Sequence, residues 1–264
     1  MIKRLIPILL LLLGCTVSVA PSSADDLAKL KAKVMAADYR ADFAELARLR
    51  DEISQRTDDG DLTYLARYWS GFASWRIAIN GASHGMKPDE LTANLRNAAT
   101  DFYQVIRLKG DFADGYAAAS MVNAWLSSFD KTTAAERVSL SQALFARAEA
   151  LEPDNPRVLW ARASYLAFRA TMQQGSMAQA LDVYQHMLKE AERRGVNMAS
   201  PLPDWGKPEA LMSLAYVHSS MTPPDPRTAL DEANAALKLQ PEWSYVRDTL
   251  KPQIEQQLHA KTVN

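Results

Sequence analysis

The chain has 264 residues, 48% of them hydrophobic, which supplies a core but too few apolar runs for several membrane spans. Its 30 Lys and Arg residues balance 31 Asp and Glu residues, so no broad basic field is present and nucleic-acid binding is disfavoured. Only 10 glycines and short β-branched runs favour helix, and the composition therefore predicts an all-α fold.

The first 24 residues have the pattern of an export signal. Lys3 and Arg4 precede an apolar stretch, Leu5–Leu13, which is shorter than the roughly 20 apolar residues of a membrane-spanning helix. We expect residues 1–24 to be a signal peptide, either of the lipoprotein type or ordinary, and residues 25–264 to form one folded domain. The expected location is the periplasm.

Cys15 is the single cysteine, so residues 25–264 contain neither a disulfide nor a cysteine metal site. Residues 12–15, Leu-Leu-Gly-Cys, resemble a bacterial lipobox, in which the cysteine is lipidated and anchors the protein to a membrane. Cleavage after the small residues 22–24 is the alternative, and it leaves the protein soluble. In a third interpretation Cys15 is simply an apolar residue of the leader.

Helix caps and helix breakers predict eleven helices along the rest of the chain. Pro88, Pro156, Pro208 and Pro226 all fit the first turn of a helix, where the missing amide hydrogen is not needed. The predicted helices are Asp26–Ala36, Arg40–Arg56, Leu62–Asn80, Pro88–Leu108, Phe112–Phe129, Thr133–Leu151, Pro156–Gln173, Met177–Arg194, Pro208–Ser220, Pro226–Leu239 and Trp243–His259.

A register of three side chains at offsets of four and three recurs in the second helix of four predicted pairs. These offsets place the three side chains on one helical stripe, and a proline or glycine five positions later stops the helix in all copies but the third, which has Glu192 there. The copies are Ala98, Phe102, Val105, Gly110; Ser141, Phe145, Ala148, Pro153; Ala180, Tyr184, Met187, Glu192; and Ala229, Ala233, Ala236, Pro241.

This register resembles the second helix of tetratricopeptide repeats, which carries a small residue, an aromatic and an alanine before a proline. The resemblance implies an α-solenoid of about four helix pairs, with additional N-terminal helices and a C-terminal capping helix beginning at Trp243. The four copies begin 43, 39 and 49 residues apart, whereas the family repeat has about 34 residues.

The first helices of the pairs carry small residues at Gly71, Ala119, Ala163 and Ala215. In the family, the neighbouring positions face a concave groove, and here they hold aromatic, amide and arginine side chains. The expected ligand- or partner-binding residues are Tyr68, Phe72, Trp75, Arg76, Tyr116, Asn123, Trp160, Arg162, Arg169 and Tyr216. The competing interpretation is that the aromatic residues at helical spacing only pack in the core. Arg76, Arg162 and Arg169 distinguish the two interpretations, because an arginine is rarely buried without a partner.

The sequence offers no group of residues typical of an active site. The histidines His84, His186, His218 and His259 are scattered, so no metal site or cofactor is expected. We therefore expect a non-catalytic scaffold of the cell envelope that holds a protein or peptide partner in the concave groove. The alternative is a small-ligand receptor that accompanies an envelope transport system, with an aromatic and arginine-lined pocket.

Overall fold

The protein is described by a computed structural model, which covers residues 24–56, 60–129, 131–172 and 176–263. Side chains are described up to residue 260. Within these ranges the chain is helical and contains no strand. The helices are α1 (Ala24–Tyr39), α2 (Phe43–Ser54), α3 (Thr63–Ser83), α4 (Pro88–Leu108), α5 (Ala113–Phe129), α6 (Ala134–Leu151), α7 (Pro156–Met172), α8 (Ala178–Arg194), α9 (Lys207–Ser220), α10 (Pro226–Leu239) and α11 (Lys251–Val263).

The all-α prediction is confirmed, and the observed helices follow the predicted ones closely. Short 3₁₀ and π segments, Gly60–Leu62 and Val246–Leu250, precede α3 and α11. Local capping accounts for two of the starts: the side chains of Asp42 and Asp225 accept hydrogen bonds from the first-turn amides of α2 and α10. None of the described helices is long and apolar enough to cross a membrane. Residues 1–23 of the predicted signal peptide, which include Cys15, lie outside the described residues.

Neighbouring helices pack as pairs, α3 with α4, α5 with α6, α7 with α8 and α9 with α10. The predicted stripes of α4, α8 and α10 are buried at these contacts, whereas in α6 only Ala148 is fully buried. Gly71 shows how close the helices of a pair come: a Cβ atom added there would lie 3.0 Å from Asp101 Cβ and 3.1 Å from Phe102 Cε1. This consecutive pairing is that of a solenoid-like helical array.

The segment after α10 covers the end of the array. Trp243, Val246, Leu250 and Ile254 lie on one stripe of the C-terminal helical segment, and all four are buried against α10 and its surroundings. Their spacing of three and four residues keeps them on one helical face. The ring of Trp243 also contacts Tyr39, at a centroid distance of 4.9 Å.

Helix α1 links the early part of the array to its end through two consecutive residues. Asp38 Oδ1 accepts hydrogen bonds from Arg76 Nε (2.7 Å) and Asn80 Nδ2 (2.8 Å) on α3. Tyr39 OH donates to Glu209 Oε1 on α9 (2.6 Å), and its carbonyl accepts from Ser244 Oγ (3.3 Å). The helix pairs therefore do not form a simple open row, because α1 contacts both α3 and the C-terminal part.

Candidate functional site

The aromatic residues predicted to line a groove on α3 lie in the core. Tyr68 is 0% exposed, Phe72 3% and Trp75 1%. The Tyr68 hydroxyl accepts a hydrogen bond from Trp205 Nε1 (3.2 Å), and its ring packs edge-on against Phe112. Burial raises the pKa of Tyr68 far above its ordinary value of 10.0, so the hydroxyl stays neutral. These three residues pack rather than present a surface.

The aromatic residues of α3 are covered by the connection between α8 and α9, residues 195–206. We call this connection the crossing segment. Trp69 Nε1 donates to the carbonyl oxygen of Pro201 (2.7 Å), and the ring of Trp205 contacts Phe72 (5.9 Å between centroids). Lys31 Nζ donates to the Asn197 carbonyl (3.1 Å) and to Asp204 Oδ2 (2.8 Å). The groove predicted on α3 is filled for this reason.

Trp160 lies between Trp75 and Trp205, at centroid distances of 5.8 Å to each and in edge-to-face geometry. The indole N–H groups of Trp75 and Trp160 are buried and have no hydrogen-bond partner among the described residues. Edge-to-face packing directs the positive edge of one ring at the negative face of the next. This attraction compensates part of the free energy that the missing hydrogen bonds cost. Trp160 is only partly buried, yet its contacts are those of the aromatic core.

Arg76 and Asn123 are engaged in internal polar contacts. The Arg76 guanidinium pairs with Asp38 and lies 5.9 Å from the centroid of the Trp75 ring. Asn123 is 0% exposed; its Oδ1 accepts from Tyr103 OH and Arg137 Nη1, each at 2.9 Å, and its Nδ2 donates to the Ala119 carbonyl. The structure therefore gives both residues a role in joining helices.

The remaining predicted residues lie apart from one another. Tyr116 is half-buried and its hydroxyl donates to the Gly110 carbonyl (3.3 Å), whereas Tyr216 on α9 is exposed. Arg162 and Arg169 are exposed on α7. The ten predicted residues thus do not converge on one groove: four are buried, Arg76 is paired inside, and the exposed ones divide between α7 and α9.

One surface does combine predicted residues with exposed apolar ones. Tyr165, Phe168 and Met172 are 48%, 60% and 68% exposed, and helical spacing places them beside Arg162 and Arg169. The Arg169 guanidinium lies 5.8 Å from the centroid of the Tyr165 ring. We call these five residues the α7 face. Its two arginines were predicted from the sequence as binding residues, and its three apolar residues were not.

The packing of α7 explains why this face is uncovered. Near its start, Ala161 packs with Ala113 and Ala117 of α5 and Ala148 of α6. Tyr165, Phe168 and Met172 follow Ala161 by four, seven and eleven positions, so they continue the same side of the helix. Since these three side chains are exposed, α5 and α6 must cover only the beginning of this side of α7. The signal available in the sequence was the absence of Asp, Glu and Lys from Pro156–Met172.

The α7 face has the composition of an interface centre rather than of a catalytic site. Aromatic residues, methionine and arginine are enriched at such centres, while lysine and acidic residues are depleted. Arg162 reaches Glu149 on α6 at 3.2 Å, but both side chains are largely exposed, so the pair contributes little to stability. Across the described ranges, no three His, Cys, Asp or Glu residues are arranged to hold a metal ion.

No protein-family model matches the chain, and no curated protein sequence shows significant similarity to it.

Proposed function

We propose that the protein is a non-catalytic binding scaffold and that the α7 face holds a segment of a partner protein. The observation that carries the proposal is the exposure of Tyr165, Phe168 and Met172 together on one helix face. Single exposed apolar residues are ordinary, but three large ones that adjoin along a helix form a patch of the kind found at interaction sites. Tyr and Arg are also the residues that most often dominate binding energy.

Charge complementarity defines the partner segment. Arginine is the only charged residue type on α7, so the face itself offers guanidinium groups around an aromatic centre; the carboxylate that reaches it, Glu149 of α6, pairs with Arg162. An apolar segment flanked by Asp or Glu would satisfy both features, because Arg pairs with carboxylates through two parallel hydrogen bonds. A second copy of this chain fits less well, since a symmetric dimer through this face would place arginines against arginines.

A tetratricopeptide-like origin of the array belongs to the proposal. It is supported by the buried stripes of α4, α8 and α10 and by the close approach of α3 and α4 at Gly71. Two features depart from regular repeats: the copies are longer, and the crossing segment covers the aromatic residues of α3. The partner site in this proposal is consequently the exposed face of α7 rather than a groove on α3.

Export to the periplasm is likewise proposed, on the basis of Lys3, Arg4 and the apolar stretch Leu5–Leu13. Mass spectrometry of the protein isolated from its native cells distinguishes the two processing routes. A diacylated or triacylated N-terminal Cys15 establishes the lipoprotein form. An unmodified N-terminus at Asp25 establishes ordinary cleavage, and an intact leader contradicts export through either route.

The binding proposal is tested by site-specific photo-crosslinking in the native cells. A benzophenone amino acid is placed at Phe168, and in a matched control at Leu239, an exposed apolar residue on α10. We expect a specific adduct at position 168 whose crosslinked peptide contains apolar residues beside Asp or Glu. The absence of any adduct at 168, or the same adducts at 239, contradicts the proposal. A crosslink to a second copy of this chain contradicts the assigned partner.

The affinity of the identified segment provides the second measurement. Replacing Arg169 by Gln should weaken a synthetic peptide of that segment about 10-fold or more, because a charge-assisted contact is lost. The same exchange at Arg247, an exposed arginine paired with Asp248 in the C-terminal helical segment, is the control and should leave the affinity unchanged.

A further inference from the structure

A cavity of about 360 Å³ lies beside the crossing segment and shares no lining residue with the α7 face. Its walls come from the start of α5, the turn between α6 and α7, the first turn of α7, the end of α8 and the crossing segment. Asp114 and Arg157 contribute buried charged groups, and Phe112 and Leu202 contribute apolar surface. Several chain segments that are distant in sequence thus build one site.

The buried guanidinium of Arg157 leaves one nitrogen for a ligand. Its Nε donates to Asp114 Oδ1 at 2.5 Å, and its Nη1 donates to the Trp205 carbonyl at 3.4 Å. No acceptor among the described residues bonds Nη2, although Arg157 is only 7% exposed. Arg157 lines the cavity, and its other two nitrogens are already bonded, so Nη2 is the donor that this guanidinium has left for a ligand oxygen.

Two carboxylates on the cavity wall also retain unused oxygens. Glu152 Oε2 accepts from Asn155 Nδ2 and from Arg194 Nη1, each at 3.2 Å, whereas Oε1 accepts from none of the described residues. Asp204 Oδ2 accepts from Lys31 Nζ and from the Asn197 amide. Its Oδ1 likewise has no donor in the described part of the chain. These oxygens are acceptors for a cationic group.

The charges around the cavity balance. The carboxylates of Asp114, Glu152 and Asp204 each pair with one cation, Arg157, Arg194 and Lys31 respectively. A simple anion would meet three carboxylates, and a simple cation would meet the guanidinium groups, so neither is favoured. The unused groups are a donor on Arg157 and acceptors on Glu152 and Asp204, which together match a molecule that carries both charges.

We propose that this cavity binds a small zwitterion of the α-amino acid class. The ligand carboxylate accepts hydrogen bonds from Arg157 Nη2, and its ammonium group donates to Glu152 and Asp204. Phe112 and Leu202 lie beside the cavity for an apolar side chain. This inference is independent of the partner proposed for the α7 face, because the two sites share no residue.

Calorimetric titration of the full chain with each of the twenty natural L-amino acids tests the ligand class. The best ligand is then compared with its two matched analogues, the acid that lacks the amino group and the amine that lacks the carboxylate. We expect each analogue to bind at least 10-fold more weakly. Binding of the acid alone at equal strength overturns the proposal in favour of an anion site, and no binding at 10 mM overturns it altogether.

Variants locate the binding in this cavity. Arg157→Lys keeps a positive charge beside Asp114 but has no counterpart of Nη2, so affinity should fall about 10- to 100-fold. Glu152→Gln, at a partly exposed position, removes an acceptor charge without disturbing the buried pair and should cost about 10-fold. The control is Glu192→Gln, an exposed acid that pairs with Lys207. Wild-type affinity in a folded Glu152→Gln protein overturns the assignment even if Arg157→Lys does not fold.

Discussion

The hydroxyl of Tyr39 donates a hydrogen bond of 2.6 Å to Glu209, a residue 170 positions later in the chain, and both side chains are buried. Glu209 Oε2 at the same time accepts from the Gly206 amide at 2.8 Å, at the start of α9. The carboxylate thus holds the first turn of α9 and the end of α1 together. Two chain segments that are remote in sequence depend on this one group.

Replacing Tyr39 by Phe should lower the free energy of unfolding by about 1–3 kcal/mol, because the buried carboxyl group of Glu209 loses one of its two donors while the ring contacts remain. Urea denaturation of the variant and of wild type measures the difference. Tyr216→Phe removes the hydroxyl of an exposed tyrosine and should change stability by less than about 0.5 kcal/mol. Equal losses of stability for the two substitutions would show that the Tyr39–Glu209 hydrogen bond does not stabilise the fold.

Glu209 should also make stability depend on pH. Burial raises its pKa above the ordinary value of 4.5, although the hydrogen bond from Tyr39 acts in the opposite direction. The folded protein therefore holds a proton that the unfolded chain has released, so stability falls as pH rises from about 4.5 through the folded pKa. Glu209→Gln should remove this contribution, and the stability difference between wild type and variant should shrink or reverse with rising pH. A difference that is constant between pH 4 and 8 contradicts the assignment.

Gly71→Ala should destabilise the array, because the new Cβ would lie 3.0 Å from Asp101 Cβ and 3.1 Å from the Phe102 ring. Crowding of this kind in a packed contact costs about 1–3 kcal/mol. Gly110→Ala is the matched control, since its Cβ would meet nothing closer than the Ile106 carbonyl at 3.8 Å. Thermal unfolding of both variants compares them directly, and a melting temperature for Gly71→Ala at or above that of Gly110→Ala would refute the close approach.

Lys31→Met should loosen the crossing segment. Lys31 is 1% exposed, and its ammonium group bonds the Asn197 and Leu202 carbonyls and the Asp204 carboxylate. Without it these acceptors lose their donor, and we expect faster hydrogen exchange of a peptide covering residues 196–204 by about 10-fold or more. Lys29→Met, which alters an exposed lysine that pairs with Asp26, should leave the exchange of that peptide unchanged.

Truncation separates the core aromatic residues from those of the α7 face. Trp75→Ala should cost about 3–5 kcal/mol, because it removes a buried indole and leaves a cavity. Phe168→Ala alters a side chain that is 60% exposed and should change stability by less than about 0.5 kcal/mol. Chemical denaturation measures both. A large loss for Phe168→Ala would mean that the α7 face is covered in the folded protein.

The helix boundaries were predictable because the signals that set them are local. Pro88 and Pro226 begin α4 and α10 as predicted, and the stripes Ala98–Phe102–Val105 and Ala229–Ala233–Ala236 pack as their spacing indicates. The inner contacts were not predictable in this way. Trp69 and Pro201 are 132 residues apart, and nothing in the spacing of either residue identifies its partner.

The candidate surface was only half predictable for the same reason. Helical periodicity marked Tyr68, Phe72 and Trp75 as a stripe, but periodicity alone does not distinguish a stripe that faces solvent from one that another segment covers. A large aromatic residue such as Trp205, in a predicted loop between Pro203 and Gly206, was the available indication that this loop is anchored. On α7, the exposure of Phe168 depends on where α5 and α6 stop covering it, which is a tertiary property.

The contacts of α1 set the order in which the protein reaches its final state during synthesis. Tyr39 is made early, but its carbonyl bonds Ser244, which follows 205 residues later. At about 5–20 residues per second, a ribosome adds that length in roughly 10–40 s. Throughout this interval α1 is without its C-terminal contacts, and the ring of Tyr39 lacks Trp243. Helix α1, the first of the described helices, is therefore among the last to complete its packing, and a chain that stops before residue 243 cannot complete it.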